Sequence, residues 1–325
     1  MRSVQDYYIK TMEKISNIGR LEDFRIFYNH SIHPELRRME KKRNRLLILI
    51  GVSCFFGIGL AIIAQLLHIF SLSLIILLIL IFYITFLVYR INNFVKTFKP
   101  RIMNLILDFI DDGINYGTLS YQADGGLGKG EFMKSKLFHP NRMIFEEEDY
   151  IKGTIGSVDF QLCEMRVLQQ SKVRNTTEWV FDGVFMKAKL HFKLNGNLYI
   201  LPKSEKPYLS KTLKNILGSG NVKVNNLIRN KEFTNLFETF ASKKTNPMQF
   251  LTEGLQNSII DYTNNFDKLF YLSFNNGTIY LAISEEKDIL EPNLFKSNLK
   301  FNLVKEFYED VFILMRIVEE LDLHH

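Results

Sequence analysis

The distribution of apolar and charged residues divides the chain into three segments. No Asp, Glu, Lys or Arg occurs between Leu46 and Tyr89, whereas charged residues are frequent on both sides of that block. The block holds two apolar runs, at about 46–67 and 69–89, with His68 between them. A helix needs about 20 apolar residues to cross a hydrocarbon core. The pattern therefore predicts a hairpin of two transmembrane helices.

The short link predicts that the two spans are antiparallel and that both flanks lie on one side of the membrane. A buried hairpin in a soluble core is the alternative, but a charge-free stretch of this length is typical of lipid-embedded helices. The flanks are basic and the turn is not: Arg37, Arg38, Lys41, Lys42, Arg43 and Arg45 precede the block, and Arg90, Lys96, Lys99 and Arg101 follow it. The positive-inside rule then predicts a multi-pass protein of the inner (plasma) membrane with both termini cytoplasmic.

The patterns outside the apolar block predict an α+β fold. We interpret residues 1–45 as a cytosolic helical segment, residues 46–90 as the transmembrane hairpin and residues 91–325 as a cytosolic domain. Helical spacing of apolar residues predicts amphipathic helices at Phe94–Ile114 and Val304–Leu323. Helices that are segregated from strands in this way favour the α+β class.

The middle of the last segment has the composition of antiparallel strands. Runs rich in β-branched and aromatic residues lie at Tyr150–Gly156, Val158–Cys163, Trp179–Phe185, Ala188–Leu194, Leu198–Leu201, Phe270–Phe274 and Thr278–Ile283. An Asn-Gly pair between two strands is a strong signal for a two-residue hairpin turn. Asn195-Gly196 therefore predicts one hairpin, and Asn276-Gly277 predicts a second.

The location of the net charge restricts the expected partners. The chain carries +6, yet residues 91–325 hold 29 basic and 29 acidic residues, so the excess lies around the apolar block. A nucleic-acid-binding domain is usually basic by itself, and we expect no nucleic-acid partner. The lipid bilayer is the expected partner, because basic flanks can contact anionic headgroups.

Small residues recur every four positions in the first predicted span, at Ser53, Gly57, Ala61 and Gln65. Small side chains at this spacing let two helices approach closely, and a Gln in lipid favours a polar partner. We interpret the stripe as the face that packs on the second span. The alternative is a contact between copies of the chain in a homo-oligomer.

No group of residues in the sequence indicates a reaction. The glycine-rich run Asp124–Gly130 is not followed by the Lys and Ser/Thr of a phosphate-binding loop. The acidic run Glu146–Asp149 lacks the ligand spacing of a calcium loop, and we interpret it as a solvated loop before a strand. Cys163 has no His close to it in the sequence. We therefore predict no catalytic residue, metal site or cofactor, and we favour a non-enzymatic role.

Two features of the predicted strands are candidates for a ligand or partner surface. Alternation places Trp179 and Phe181 on one face, either as core residues or as the aromatic floor of a groove. It also places Lys187, Lys189 and Lys193 on one side, where they could meet anionic headgroups. The leading hypothesis is a membrane-anchored scaffold or interaction module with a protein partner at the membrane. The alternatives are a lipid or small-molecule sensor and, third, an enzyme of unrecognised type.

Several short passages, taken in order, carry a resemblance to a known family. They are Asp23–Tyr28, His33–Leu36, Ser135–Phe138, Gly153–Gly156, Phe181–Phe185, Asn195-Gly196, Leu201-Pro202, Phe233–Phe240, Ser273-Phe274, Leu281–Ile283 and Glu291–Phe295. In this order the chain resembles the bacterial membrane proteins grouped as domain of unknown function 3137. Lys203 departs from the pattern, which has an acidic residue after Leu-Pro. The resemblance implies a membrane location and this domain layout, and it implies no reaction.

Overall fold

The computed structural model describes residues 20–68, 70–111, 116–140, 142–170, 176–190, 196–203, 207–243, 245–266, 268–284 and 292–323. Its architecture is α+β, as predicted, with N-terminal helices followed by an antiparallel sheet and flanking helices. The chain divides into two compact units. The helical unit comprises Met1–Phe109 and Leu290–Val304, and the sheet unit comprises Ile110–Ile289 and Lys305–His325.

Two long helices form most of the helical unit, α1 (Arg20–Leu67) and α2 (Phe70–Ile110). A π-helical turn at Tyr28–Ile32 widens α1, and the His33 N–H bonds to the Tyr28 carbonyl. Pro34 follows directly. Proline has no N–H to donate and its ring crowds the carbonyl four residues earlier, so the wider turn accommodates it within one continuous helix.

Both helices expose their most apolar segments. In the 18-residue apolar segment of each helix, the mean hydropathy is 2.8 for α1 and 2.7 for α2. Only 17% of that segment in α1 and 11% in α2 is buried. The core helix of a soluble protein would be mostly buried, since exposed apolar patches of this size are rare on soluble monomers. Among the described residues, two helices are therefore long and apolar enough to cross a membrane.

The contact between α1 and α2 follows part of the predicted small-residue stripe. Ser53 is buried, and a Cβ atom on Gly57 would lie 2.7 Å from Leu80 of α2. Ala61 and Gln65 are exposed within the single chain, whereas Ala64 is buried. Each residue of a helix turns by about 100°, so positions four apart drift by about 40° per step. The buried positions consequently pass from the stripe to Ala64.

The described residues of the sheet unit form nine strands, in which every neighbouring pair is antiparallel. Their order across the sheet is β1-β2-β3-β4-β9-β8-β5-β7-β6. In chain order the strands are β1 (Tyr116–Gln122), β2 (Met143–Ile155), β3 (Val158–Gln170), β4 (Thr177–Lys189), β5 (Leu198–Pro202), β6 (Asn221–Lys223), β7 (Phe237–Ser242), β8 (Phe270–Asn275) and β9 (Thr278–Ser284).

In the part of the chain that the structure describes, five further α-helices follow α2. They are α3 (Lys129–Lys134), α4 (Pro207–Gly218), α5 (Lys231–Leu236), α6 (Glu253–Phe266) and α7 (Phe301–Leu323). The helix α7 begins in the helical unit and continues in the sheet unit from Lys305. The buried core of the sheet unit includes stacked rings: Phe132 and Phe138 lie 5.1 Å apart with an interplanar angle of 3°.

The two Asn-Gly pairs have different outcomes. Asn276 and Gly277 have φ angles of 52° and 77° in the turn between β8 and β9, where Asn275 pairs with Thr278. The second predicted hairpin is thus confirmed. The first is wrong, because β4 pairs with β9 and β5 pairs with β8 and β7. The β8–β9 hairpin occupies the place between β4 and β5, so long-range pairing overrides the local turn signal.

The acidic run is part of a strand, which corrects its interpretation as a loop. Glu146 pairs with Arg166 and Glu148 pairs with Glu164 across β2 and β3. The Arg166 Nη2 atom lies 3.5 Å from Glu148 and 3.3 Å from Glu164. Adjacent carboxylates on neighbouring strands repel each other unless a cation intervenes, and Arg166 supplies that cation.

Candidate functional site: a lysine-lined groove

An open groove of about 580 Å³ runs over part of the sheet unit. Its lining is polar and carries more basic than acidic side chains. It is lined by Glu131, Lys134, Lys136, Asp159, Gln161, Lys187, Lys189, Asn275, Asn276, Thr278 and Tyr280. These residues come from β3, β4, β8 and β9, from the β8–β9 turn, and from α3 with the residues that follow it. We call this site the lysine groove.

Cross-strand pairing arranges the floor of the lysine groove in rows. Lys187 of β4 pairs with Gln161 of β3 on one side and with Tyr280 of β9 on the other. Lys189 pairs with Thr278 one step further along β4. Residues two apart on a strand point to the same face, so Lys187 and Lys189 present their ammonium groups on the same side of the sheet.

The wall of the lysine groove is α3, which is fastened to β8. The Ser273 hydroxyl donates to the Ser135 carbonyl at 2.6 Å, and the Asn275 side chain donates to the Lys134 carbonyl at 3.0 Å. Phe132 anchors the same helix in the core, with its ring 5.5 Å from that of Phe185. A short helix of this length is unstable by itself, so these contacts decide its position.

The turn after α3 places Lys136 at the edge of the lysine groove. The backbone of Lys136 is left-handed, with φ at 56°, and its N–H bonds to the Met133 carbonyl. A left-handed conformation is uncommon for a residue with a side chain. It ends α3 and lets the chain return toward Leu137 and Phe138, which are fully buried.

The charge of Glu131 is compensated inside the lysine groove. Its carboxylate lies 2.7 Å from Lys134 and 3.6 Å from Lys187, and it accepts a hydrogen bond from the Tyr280 hydroxyl at 3.3 Å. Burial favours the neutral acid, but the hydrogen bond from Lys134 and the charges of Lys187 and Lys134 outweigh burial and lower the pKa of Glu131. Burial and the neighbouring Glu131 carboxylate raise the pKa of the Tyr280 phenol.

Two of the four lysines keep their charge available to a ligand. Among the residues that the structure describes, neither Lys136 nor Lys189 forms an ion pair, and Lys189 is exposed. The four lysines face two acids, Glu131 and Asp159, which leaves a formal charge of +2 in the groove. The lysine groove is therefore suited to an anion with several hydrogen-bond acceptors.

The structure separates the residues that the sequence suggested for a surface. Lys187 and Lys189 lie together in the lysine groove, whereas Lys193 lies outside the described residues. The remaining lining residues of α3 and of the β8–β9 turn were not anticipated. They are distant from Lys187 in sequence and join it only through sheet pairing, and no local pattern signals that neighbourhood.

Trp179 and Phe181 do not share a face. Val167 pairs with Phe181 and Leu168 pairs with Trp179, so Val180 is an extra residue and forms a β-bulge. Each extra residue reverses the alternation. Phe181 is consequently buried, whereas Trp179 is 57% exposed. Neither the predicted core position of Trp179 nor an aromatic floor built from both rings is observed.

Two other candidates for chemistry are accounted for by their surroundings. In the described part of the chain, Glu148, Asp149 and Glu164 form one group of ligand atoms within 4.8 Å of one another. Arg166 contacts two of these carboxylates, and the Tyr121 hydroxyl donates to Asp149. Burial, as the main cause, raises the pKa of Cys163 to about 12. A thiol of this kind stays protonated at neutral pH and is a poor nucleophile.

Residues 179–323 match the model of a family described as Protein of unknown function (DUF3137). The resemblance found in the sequence is confirmed over these residues. The match covers β4 to α7, and with them Lys187, Lys189, Tyr280 and the β8–β9 turn of the lysine groove. No curated protein and no solved structure matches the chain.

Proposed function

We propose that the protein is a membrane-anchored binding module that holds a phosphate-bearing ligand in the lysine groove. The observation that carries this proposal is the clustering of Lys134, Lys136, Lys187 and Lys189 around one open groove. Two of these cations have no acidic partner among the described residues, which is a costly arrangement unless water or a ligand solvates them. An anion would replace that water and compensate the charge.

Phosphate fits the lysine groove better than an apolar ligand does. The ammonium groups supply charge, and the side chains of Gln161, Asn276 and Thr278 supply hydrogen-bond donors beside them. A phosphate group offers several acceptor oxygens and pairs well with such donors. The volume of the groove lies within the usual range of small-ligand sites, about 300–1,000 Å³. The phosphate could belong to a lipid headgroup or to a soluble metabolite.

The anchor in this proposal is the pair α1 and α2, and the basic residues around them predict that both termini are cytoplasmic. Labelling with an impermeant maleimide in intact cells tests this topology, with single cysteines at His68→Cys in the turn and Lys152→Cys in the sheet unit. We expect labelling at residue 68 only. Labelling at residue 152 instead would reverse the topology, and release of the protein by alkaline carbonate would refute the anchor.

Lysine acylation, read by mass spectrometry, tests ligand binding by the full chain in nanodiscs. Three conditions separate the two sources of phosphate: phosphatidylcholine alone, phosphatidylcholine with phosphatidylglycerol, and phosphatidylcholine with added pyrophosphate. We expect slower acylation of Lys136 and Lys189 in one of the last two conditions, because a bound anion shields the ammonium groups. Protection by phosphatidylglycerol would indicate a lipid headgroup, and protection by pyrophosphate would indicate a soluble ligand.

Lys152 of β2 serves as the internal control, because it is exposed in the same sheet and lies outside the lysine groove. Its acylation should be equal in the three conditions. The double variant K187E/K189E should abolish protection at Lys136, whereas K152E should preserve it. Equal acylation of Lys136, Lys189 and Lys152 under all three conditions would refute anion binding.

A protein-interaction module is the second candidate, and an exposed apolar row favours it. Ile144 pairs with Leu168, and Leu168 pairs with Trp179, which brings three apolar residues onto adjacent strands. Ile144 and Trp179 are both exposed. A photo-crosslinking amino acid at Trp179 should capture one partner if this row is an interface. The same probe at Leu227, an exposed leucine elsewhere in the sheet unit, should not capture it.

A further inference from the structure

A short segment of the helical unit, residues 292–300, packs where the apolar block meets its basic flanks. Leu294 contacts a cluster formed by Leu46, Leu87 and Ile91. Leu46 is the first residue of the charge-free block, and Leu87 and Ile91 lie on either side of its last residue, Tyr89. Leu294 therefore lies at the level where α1 enters the apolar region and α2 leaves it.

A buried arginine of α1 holds this segment in place. Arg43 is 4% exposed, and its Nη1 atom donates to the carbonyl of Asn293 at 2.8 Å and to the carbonyl of Lys296. Its Nη2 atom lies 3.0 Å from Glu40. A guanidinium is costly to bury unless its donors are satisfied. Backbone carbonyls of the segment satisfy these donors. If the segment moved away from α1, the Arg43 guanidinium would therefore lose two hydrogen-bond acceptors.

The segment is also ordered internally. The Asn293 side-chain oxygen accepts from the N–H groups of Phe295 at 2.9 Å and Lys296 at 2.8 Å. The buried Asn298 side chain accepts from the Asn293 N–H at 2.8 Å, and the Tyr28 hydroxyl donates to the Leu299 carbonyl at 3.1 Å. Side-chain bonds of this kind stabilise a fixed turn conformation. The direction of Phe295 is consequently set by the structure around it.

Phe295 is 86% exposed, although its neighbour Leu294 packs on the apolar cluster. A phenyl ring presented to water from an ordered turn forfeits the free energy of burial. Lys296 follows directly and is exposed, as are Arg45 and Arg90 at the ends of the apolar block. Aromatic rings beside basic side chains are typical of the membrane interface, where the ring meets the acyl boundary and the cations meet phosphates.

We propose that residues 292–300 form a third membrane contact, in which Phe295 inserts into the bilayer interface at the basic ends of α1 and α2. This inference rests on the proposed function, since it requires α1 and α2 to span the bilayer. Its partner is the lipid surface itself. The segment would then link the region just before α7 to the membrane at a fixed depth.

Spin-label accessibility tests the inference on the full chain in vesicles of phosphatidylcholine and phosphatidylglycerol. Labels are attached at Phe295→Cys, at Phe55→Cys within α1, and at Leu227→Cys in the sheet unit, each in a chain whose two natural cysteines are replaced. We expect the label at residue 295 to collide with lipid-dissolved oxygen and to be shielded from a polar nickel complex. Residue 55 should report a greater depth, and residue 227 should be open to nickel.

The variant R43M should move the label at residue 295 from the lipid interface to water, because the two carbonyls of the segment lose their donor. The matched variant R38M removes the same charge from an exposed position of the same helix, further from the apolar block, and the label should stay in the interface. If the label at residue 295 is exposed to water while the label at residue 55 is embedded in lipid, the inference about residues 292–300 is overturned and the membrane anchor is not. A water-exposed label at residue 55 would overturn the membrane anchor as well, and equal effects of R43M and R38M would refute the role of Arg43.

Discussion

The helical unit and the sheet unit use the same apolar residue types in opposite ways. Phe55 and Phe82 of the helical unit are 81% and 69% exposed, whereas Phe132 and Phe185 of the sheet unit are fully buried. The free energy of removing such rings from water is similar in both places. The sheet unit provides its own apolar interior, and the helical unit presents a surface that matches an external apolar medium.

The backbone follows the same division. In α1 and α2 the hydrogen bonds connect residues a few positions apart, which is a requirement for any segment in lipid, where no water satisfies the peptide groups. In the sheet unit, β4 pairs with β9, so that Gly183 lies opposite Ser284 and Lys189 lies opposite Thr278, far along the chain. Four predictions test this contrast, in order of decreasing expected effect.

Charges on an exposed apolar surface should be harmful only in the helical unit. Ile75 and Ile79 are exposed on α2, and I75R/I79R should greatly reduce the fraction of protein that resists carbonate extraction. Each arginine at the centre of a span costs about 2.5–3.5 kcal/mol of insertion free energy. The matched variant I144R/L227R places the same charges on exposed apolar positions of the sheet unit. It should leave the membrane fraction unchanged, and equal effects would contradict the contrast.

Truncation of a phenylalanine should destabilise the sheet unit only where the ring is buried. Phe185 lies 5.5 Å from Phe132 and 6.0 Å from Tyr280 in ring centroids. Phe185→Ala should lower the free energy of unfolding by about 3–5 kcal/mol, measured as faster hydrogen exchange of the β3 and β4 amides. Phe82→Ala in α2 is the control and should not change that exchange. Unchanged hydrogen exchange of the β3 and β4 amides in the Phe185→Ala variant would show that this core does not account for the stability of the sheet unit.

A glycine of the sheet unit should be needed for its positive φ angle, whereas a glycine of the helical unit should be needed only where a side chain would not fit. Gly277 has φ at 77° in the β8–β9 turn, and Gly277→Ala should cost about 1–2 kcal/mol, seen as faster exchange of the β8 and β9 amides. Gly51 lies within α1, and a Cβ there would meet nothing within 4 Å. Gly51→Ala should be tolerated, with an unchanged yield of inserted protein.

The two cysteines should be protected from reagents for different reasons. Cys54 is exposed on α1, and Cys163 is buried in the sheet unit. In membranes, a lipid-soluble maleimide should label Cys54 while a charged one does not, and neither should label Cys163 until the chain is unfolded. Labelling of Cys163 by the charged reagent in the folded protein would show that the core opens readily.

The pKa of Cys163 gives that experiment a pH control. Burial raises the pKa to about 12 in the folded chain, above that of an exposed thiol. The neutral thiol therefore favours the folded state at neutral pH, and this contribution declines as the pH rises from the range of a free thiol toward about 12. Raising the pH from 7 to 8 should consequently leave Cys163 unlabelled in the folded protein.

The two Asn-Gly pairs show when a local sequence signal is sufficient to predict a hairpin and when it is not. Asn276-Gly277 forms its turn because β8 and β9 are also neighbours in the sheet. Asn195-Gly196 lies between strands that pair with other partners, and a Cβ on Gly196 would lie 2.0 Å from the side chains of Ser242 and Thr245. This glycine is required by close approach to another part of the chain, which sequence spacing does not reveal.

Only part of the lysine groove could be predicted from the sequence. The alternation of Lys187 and Lys189 on a predicted strand places them on one side, and both residues line the groove. Their neighbours Lys134 and Lys136 come from a helix of six residues that is held by Ser135, Ser273 and Asn275. None of these contacts is local, and each is a hydrogen bond whose partner is chosen by the packing of the whole unit.

The amino-acid sequence by itself determined the properties that depend on near neighbours in the chain: the two apolar helices, the basic flanks, the α+β class and the turn at Asn276-Gly277. Helical hydrogen bonds and apolar runs are short-range, so the pattern of residues is sufficient to predict them. The tertiary structure decided the strand order, the bulge at Val180 that turns Trp179 outward, and the grouping of four lysines around one groove. These features depend on pairing between distant segments, because only the folded chain determines which strand edges and side chains meet.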